Sequence, residues 1–175
     1  MASAYTTFAN GGIRCAPLFV TKIEDSHGNV IAKFQPLMTE VISEVSSYQM
    51  IDMLRAVIQG GTGSRLRYAY HLTADMGGKT GTTNNNADGW FMGITPNLVS
   101  GCWVGGEDRD IHFDHTSMGQ GATMALPVWA YYMQRVYADK RLGYSQSTKF
   151  TMPAKFNPCQ TADTINVNGI QEEYF

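Results

Sequence analysis

Residues 87–105 constrain the fold of this chain more than any other stretch. Two segments alternate between apolar and polar residues, 87–94 and 98–105, and Thr95-Pro96-Asn97 between them is typical of a tight turn. Glycine recurs along both segments, at Gly89, Gly93, Gly101 and Gly105. Because glycine has no side chain, another backbone or a ligand can approach such a face closely. The sequence therefore predicts an antiparallel strand pair with one thin face.

Three helices are predicted around this pair. Apolar residues recur at helical spacing in residues 1–9 and in residues 122–138. A further helix is predicted to open at a Ser46-x-x-Gln49 capping box and to end at Gly60-Gly61. Helices interspersed with antiparallel strands predict an α+β fold.

A hairpin and a tail complete the predicted organisation. Residues 18–24 and 30–34 alternate on either side of a polar turn, which predicts the hairpin. At 175 residues the chain has the length of one ordinary domain. Regular patterns end near residue 141, so we assign residues 1–141 to the domain and 142–175 to a polar tail. A tail that folds back as a lid would be anchored by its apolar residues, Phe150, Phe156, Ile165 and Ile170.

Composition narrows the function classes. The formal net charge is −2 at pH 7, so nucleic acid is not an expected partner. The sequence contains neither a membrane-spanning apolar run nor a signal segment, which taken alone predicts a cytoplasmic protein.

The first helix starts without a capping residue, and we therefore expect Met1 to be an internal residue of a longer protein. Cys15, Cys102 and Cys159 have neither metal-ligand spacing nor a disulfide pattern.

The stretch Lys79-Thr80-Gly81 before the strand pair has three interpretations. A phosphate loop would need glycine where Thr73 stands and a helix after the lysine, and the sequence has neither. An ordinary hairpin strand is possible, since lysine and threonine are common on exposed strands. The third interpretation is one wall of an acyl-transfer site. Lys79 and the hydroxyls of Thr80, Thr82 and Thr83 would surround a carboxylate, and an exposed backbone N–H would serve an oxyanion.

No metal or cofactor site is predicted elsewhere. A loop rich in acidic residues and histidine is better explained as a solvated loop than as a metal site. Its titratable residues are Glu107, Asp108, Asp110, His112, Asp114 and His115. The histidines are predicted to be surface residues, since no Gly-x-Ser-x-Gly elbow accompanies them.

An ordered set of short motifs resembles the penicillin-binding proteins, most closely the transpeptidase domain of the bifunctional class A enzymes. The Lys-Thr-Gly stretch is followed by Asp88, Trp90-Phe91 and Gly93-Ile94-Thr95-Pro96. Other segments match in order: Ala2-Ser3-Ala4-Tyr5, Phe8-Ala9-Asn10-Gly11-Gly12, Gly61-Thr62-Gly63, Trp103-Val104-Gly105 and Ala125-x-Pro127-x-Trp129. The resemblance covers residues 1–137.

The chain departs from this family in one respect. The family needs a Ser-x-x-Lys nucleophile and a Ser-x-Asn, and no serine of this chain stands in either pattern. In the family both motifs precede Lys-Thr-Gly. The resemblance therefore implies the C-terminal part of a transpeptidase domain, and the chain alone is expected to be inactive.

The resemblance also implies roles, partners and location. Lys79 would charge the site, Thr80 and Thr82 would bind the carboxylate of D-alanyl-D-alanine or of a β-lactam, and the Thr82 N–H would supply half of an oxyanion hole. The parent would be an extracytoplasmic, membrane-anchored bacterial enzyme of peptidoglycan synthesis with an upstream glycosyltransferase domain. Its expected partners are a stem peptide and the N-terminal part of the same domain.

Two expectations concern the isolated chain. The family seats a nucleophile-bearing helix on the sheet, so its absence predicts an uncovered apolar surface and self-association. The rival hypothesis is a nucleophile-free module that binds peptidoglycan or a partner protein.

Overall fold

The computed structural model of the chain describes residues 1–156. Cys159 and the predicted lid residues Ile165 and Ile170 lie outside the described residues.

A three-stranded antiparallel sheet forms the centre of the structure. Its strands are β5 (Gly77–Thr82), β6 (Asp88–Ile94) and β7 (Val99–Gly105), in that spatial order. The turn between β6 and β7 is closed by Thr95, whose N–H donates to Leu98 O and whose Oγ1 accepts from Leu98 N at 3.1 Å. The predicted strand pair is thus confirmed, and the Lys-Thr-Gly stretch forms a third strand beside it.

One face of the sheet is covered by the long helix α5 (Gly121–Ala138). Trp129 and Phe91 pack edge-on with ring centroids 5.0 Å apart, and Trp129 Nε1 donates to Ser100 Oγ at 2.8 Å. A Cβ on Gly93 would lie 2.2 Å from Trp129 Cζ2. The predicted close approach to a thin face is confirmed here, and the approaching element is the protein's own helix.

The other face and the β5 edge carry α1 (Ala2–Ala9) and α2 (Glu44–Gln59). Tyr48, Ile51 and Leu54 of α2 pack with Ile94, Val99 and Phe150 in a second core cluster. Apolar side chains of α1 pack against the same cluster. The predicted start of α2 at Ser46 is wrong. Ser43 is the N-cap, and its Oγ accepts from Ser46 N at 3.1 Å.

Two small strand pairs lie outside the central sheet. The predicted hairpin is confirmed as β2 (Lys22–Glu24) and β3 (Val30–Lys33), but its first strand begins at Lys22 and not at residue 18. Asp25 organises its turn by accepting from His27 N and Asn29 N, both at 2.8 Å. The second pair, β1 (Ile13–Cys15) with β4 (Met38–Glu40), is not anticipated by the sequence pattern.

Short helices and the C-terminal segment complete the described structure. They include α3 (Arg65–Tyr68), directly after the Gly61-Thr62-Gly63 turn, and α4 (Thr116–Gly119), directly before α5. Phe150 and Phe156 pack against the cluster around Tyr48. Within residues 1–156, no helix has the length and apolar character needed to span a membrane.

Candidate active site

The Lys-Thr-Gly strand β5 is an edge strand that presents backbone amides outward. It pairs with β6, and Thr83 N beyond its end donates to Asp88 O at 3.0 Å. Successive N–H groups along an antiparallel strand alternate in direction. The N–H groups of Thr80 and Thr82 therefore point away from β6, towards the open edge.

An open cleft of about 260 Å³ runs along this edge between β5, β6 and the start of α1. Lys79 lies in its wall and is exposed, with Nζ donating to Thr80 O at 2.8 Å. Burial raises the pKa of the Tyr5 phenol above its ordinary value. The lining residues are Met1, Tyr5, Lys79, Thr80, Gly81, Thr82, Thr83, Trp90 and Met92. All five predicted site residues are thus on one cleft wall.

Two of the three candidate threonine hydroxyls are held by groups that lie far from the Lys-Thr-Gly stretch in the sequence. Thr80 Oγ1 lies 2.8 Å from Thr62 Oγ1, in the turn between α2 and α3. Thr82 Oγ1 accepts from Gly121 N, the first amide of α5, at 3.1 Å.

The third threonine, Thr83, stabilises the end of β5 instead. Thr83 Oγ1 accepts from Asp88 N at 2.9 Å and approaches Asp88 Oδ2 at 3.3 Å. Asp88 also accepts from Trp103 Nε1 at 3.0 Å. Since its hydroxyl is engaged in this way, Thr83 contributes to the cleft mainly as part of the wall.

An ion pair fixes the chain just before β5. Arg55 on α2 donates from Nε and Nη2 to the two carboxylate oxygens of Asp75, at 2.8 and 2.5 Å, and from Nη1 to Tyr48 OH at 3.0 Å. Phe150 N donates to the same Asp75 carboxylate at 3.0 Å. Burial alone would raise the pKa of Asp75, but the hydrogen bonds from Arg55 and Phe150 outweigh it, so its pKa lies below 3.8.

A second contact holds the residues that precede Asp75. Gln146 Oε1 accepts from Thr73 N at 2.8 Å and from Ala74 N at 3.2 Å. Hydrogen bonds from α2 and from residues 146–150 therefore both hold the segment that leads into the Lys-Thr-Gly strand.

The other groups considered from sequence lie away from the cleft. His27, His71, His112 and His115 are all exposed. Within the described part of the chain no group of His, Cys, Asp and Glu side chains is arranged to hold a metal ion. Among residues 1–156, those that line the cleft include neither a serine nor a cysteine.

An antiparallel sheet flanked by helices, with a Lys-Thr-Gly edge strand lining a cleft, defines a transpeptidase-type α+β domain. The chain belongs to the family described as "Penicillin binding protein transpeptidase domain", whose model matches residues 1–100. The family resemblance drawn from the motifs is thereby confirmed.

Individual relatives agree with this assignment. Penicillin-binding protein 1A of Aquifex aeolicus (strain VF5) is 39% identical over 136 residues, which make up 78% of this chain and 18% of that protein. The crystal structure of penicillin-binding protein 1A from Haemophilus influenzae matches with a TM-score of 0.73 at 26% identity, over 88% of this chain and 27% of that one. The chain thus spans about a fifth of the length of the curated relatives it matches.

A more distant structure shows the same fold. Penicillin-binding protein A from M. tuberculosis, solved as an imipenem acyl-enzyme complex, matches with a TM-score of 0.54 at 19% identity. The match covers 76% of this chain and 29% of that one.

Proposed function

We propose that this chain forms the carboxylate-binding and oxyanion wall of a D-alanyl-D-alanine transpeptidase that cross-links peptidoglycan stem peptides through an acyl-serine intermediate. The observation that carries the proposal is the edge of β5. There Lys79, the outward N–H of Thr82 and the hydroxyls of Thr80 and Thr82 border one cleft. A cation, hydroxyl donors and a free amide are the groups needed to hold a carboxylate and a developing oxyanion.

Each residue has a distinct proposed role. Lys79 supplies positive charge at the cleft, and the hydroxyls of Thr80 and Thr82 donate to the ligand carboxylate. The Thr82 N–H donates to the oxygen that becomes an oxyanion when the serine attacks. Gly81 keeps the strand surface flat enough for close approach, and Thr83 maintains the strand end through Asp88.

The nucleophile is proposed to come from upstream sequence. No serine of the chain has lysine three residues on, so the acyl-serine would form on a Ser-x-x-Lys contributed by the N-terminal part of the same domain. We call a protein that carries both parts the full-length parent, and propose that it acts on the extracytoplasmic side of a bacterial membrane. The imipenem acyl-enzyme of the M. tuberculosis protein supports a β-lactam as the alternative ligand.

A nucleophile-free binding module of the same fold is the second candidate. The residues described in the cleft wall include no serine or cysteine, which favours a binding module over an enzyme for the 175-residue chain by itself. It would recognise peptidoglycan or a partner protein without forming a covalent bond.

A fluorescent penicillin separates the two proposals. The 175-residue chain should give no covalent band, whereas the full-length parent should give a stable one that is lost when its Ser-x-x-Lys serine becomes alanine. A stable band on the 175-residue chain would contradict the assignment of the nucleophile to upstream sequence. A parent with no band would favour the binding module.

A further inference from the structure

The start of α5 sits directly on the backbone of the Lys-Thr-Gly strand. A Cβ built on Gly121 would lie 2.3 Å from Gly81 O and 2.4 Å from Trp90 O. Gly89 on β6 completes the contact, since its own Cβ would lie 3.1 Å from Gly121 Cα. Only glycine at position 121 lets the first amide of α5 approach the strand this closely.

That amide has a specific acceptor. The first N–H groups of a helix have no partner within the helix, and Gly121 N donates to Thr82 Oγ1 at 3.1 Å. A hydroxyl group has one proton to donate and accepts through its oxygen. Among residues 1–156 the Thr82 hydroxyl has no other hydrogen-bond partner. Because the amide donates to the oxygen, the exposed hydroxyl keeps its proton for a ligand.

We infer that Gly121 is a positioning residue for ligand carboxylate binding, acting through Thr82. Its N–H fixes the Thr82 side chain in the orientation in which the hydroxyl donates towards the cleft edge. α5 is an 18-residue helix, and the positive end of its dipole polarises that hydroxyl further. The inference rests on the proposed function, in which Thr82 binds the carboxylate, and adds to it a residue 39 positions away in the sequence.

The test compares two acylating ligands on the full-length parent: a penicillin with its free carboxylate, and the methyl ester of the same penicillin. Replacement of Gly121 by glycolic acid removes the N–H without adding a Cβ, and it should slow acylation by the free acid about tenfold and by the ester less than about twofold, because the lost hydrogen bond serves the charged group. Thr82→Val should reproduce this selective loss and Thr82→Ser should not. Adding the glycolic acid replacement to Thr82→Val should cost nothing further.

Equal slowing of both ligands in the glycolic acid variant, or additive losses in the double variant, would overturn the inference, because a general disturbance of the strand gives those results. Gly121→Ala is the steric comparison and should slow both ligands, because its Cβ would press on Gly81 O and Trp90 O. Unchanged rates in Gly121→Ala would contradict the close contact on which the inference rests. Unchanged acylation in Lys79→Ala would instead contradict the proposed function itself.

Discussion

The hydroxyl oxygens of Thr62 and Thr80 lie 2.8 Å apart, although the two residues are 18 positions apart in the sequence. The contact joins the Gly61-Thr62-Gly63 turn to the Lys-Thr-Gly strand. It requires a close turn at the end of α2, where Gly63 N donates to Val57 O at 3.0 Å. Two motifs of the family resemblance thus form one hydrogen-bonded unit at the cleft.

Thr62→Val in the full-length parent should slow acylation by penicillin roughly two- to tenfold. The variant removes one neutral hydrogen bond, and the Thr80 hydroxyl then loses its fixed orientation. Stopped-flow measurement of acylation by a fluorescent penicillin gives the rate. Thr62→Ser is the matched control and should retain the wild-type rate; a rate in Thr62→Val equal to wild type would show that Thr62 does not orient Thr80.

Gly77→Ala should destabilise the chain by about 1–3 kcal/mol, the usual cost of overpacking a core. Its Cβ would lie 2.8 Å from Leu54 Cβ and 3.1 Å from the Leu54 carbonyl carbon, and the α2 backbone cannot move aside easily. Denaturant unfolding of the 175-residue chain measures the change. Gly60→Ala is the control because its Cβ would meet no atom within 4 Å. Equal midpoints for the two variants would contradict the close packing of α2 on β5.

Asp75→Asn should cost about 2–4 kcal/mol at neutral pH, since it leaves the largely buried Arg55 guanidinium with only the exposed Asp52 carboxylate, 3.7 Å from Nη1, as a charged partner. The Arg55 and Asp75 side chains are only 15% and 12% exposed. Glu24→Gln, in the exposed Lys22–Glu24 pair, should leave the unfolding midpoint nearly unchanged.

Acid titration tests the same pair independently. The pKa of Asp75 is lower in the folded chain than its ordinary value of 3.8. Its contribution to stability is therefore complete above pH 3.8 and is lost as pH falls through the folded pKa. The stability difference between wild type and Asp75→Asn should shrink below pH 3.8. A difference that stays constant down to acid unfolding would contradict the lowered pKa.

The isolated chain should self-associate through the outer edge of β7. Among residues 1–156 this strand pairs with β6 alone, and unpaired strand edges favour association. Exposed apolar side chains adjoin it, including Val128 and Tyr132 on α5. Light scattering across a dilution series should show a concentration-dependent mass that Tyr132→Lys reduces. Met53→Lys, on α2 beside the opposite edge of the sheet, should not reduce it; a strictly monomeric chain at high concentration would contradict the prediction.

Local patterns were sufficient to predict most of the main elements. The alternation of apolar and polar residues correctly predicted β6 and β7, which are seven residues long each. A continuous apolar stripe predicted α5 to within one residue of its observed start. The pairing of β1 with β4 could not be predicted, because two three-residue strands are too short to show a period. The start of α2 was misplaced because Ser43 and Ser46 both suit a cap, and only Ser46 has glutamine three residues later.

Only those residues of the candidate site that are contiguous in the sequence could be predicted. Lys79-Thr80-Gly81 and its neighbours are contiguous, so one strand brings them to one wall. The groups that fix them, Thr62 and Gly121, reach the strand through tertiary contacts. Such contacts leave no periodic signal in a single sequence.

The acylation rate of Lys79→Ala in the full-length parent tests the central claim most directly. The lysine is exposed on the cleft wall, so its removal should leave the thermal midpoint unchanged. Acylation by fluorescent penicillin should fall at least about 100-fold, the usual effect of removing one group that stabilises developing charge. Lys22→Ala, on the exposed hairpin, should acylate at the wild-type rate. Wild-type acylation in Lys79→Ala, or its failure to fold, would contradict the assignment of this strand as the wall of an acyl-transfer site.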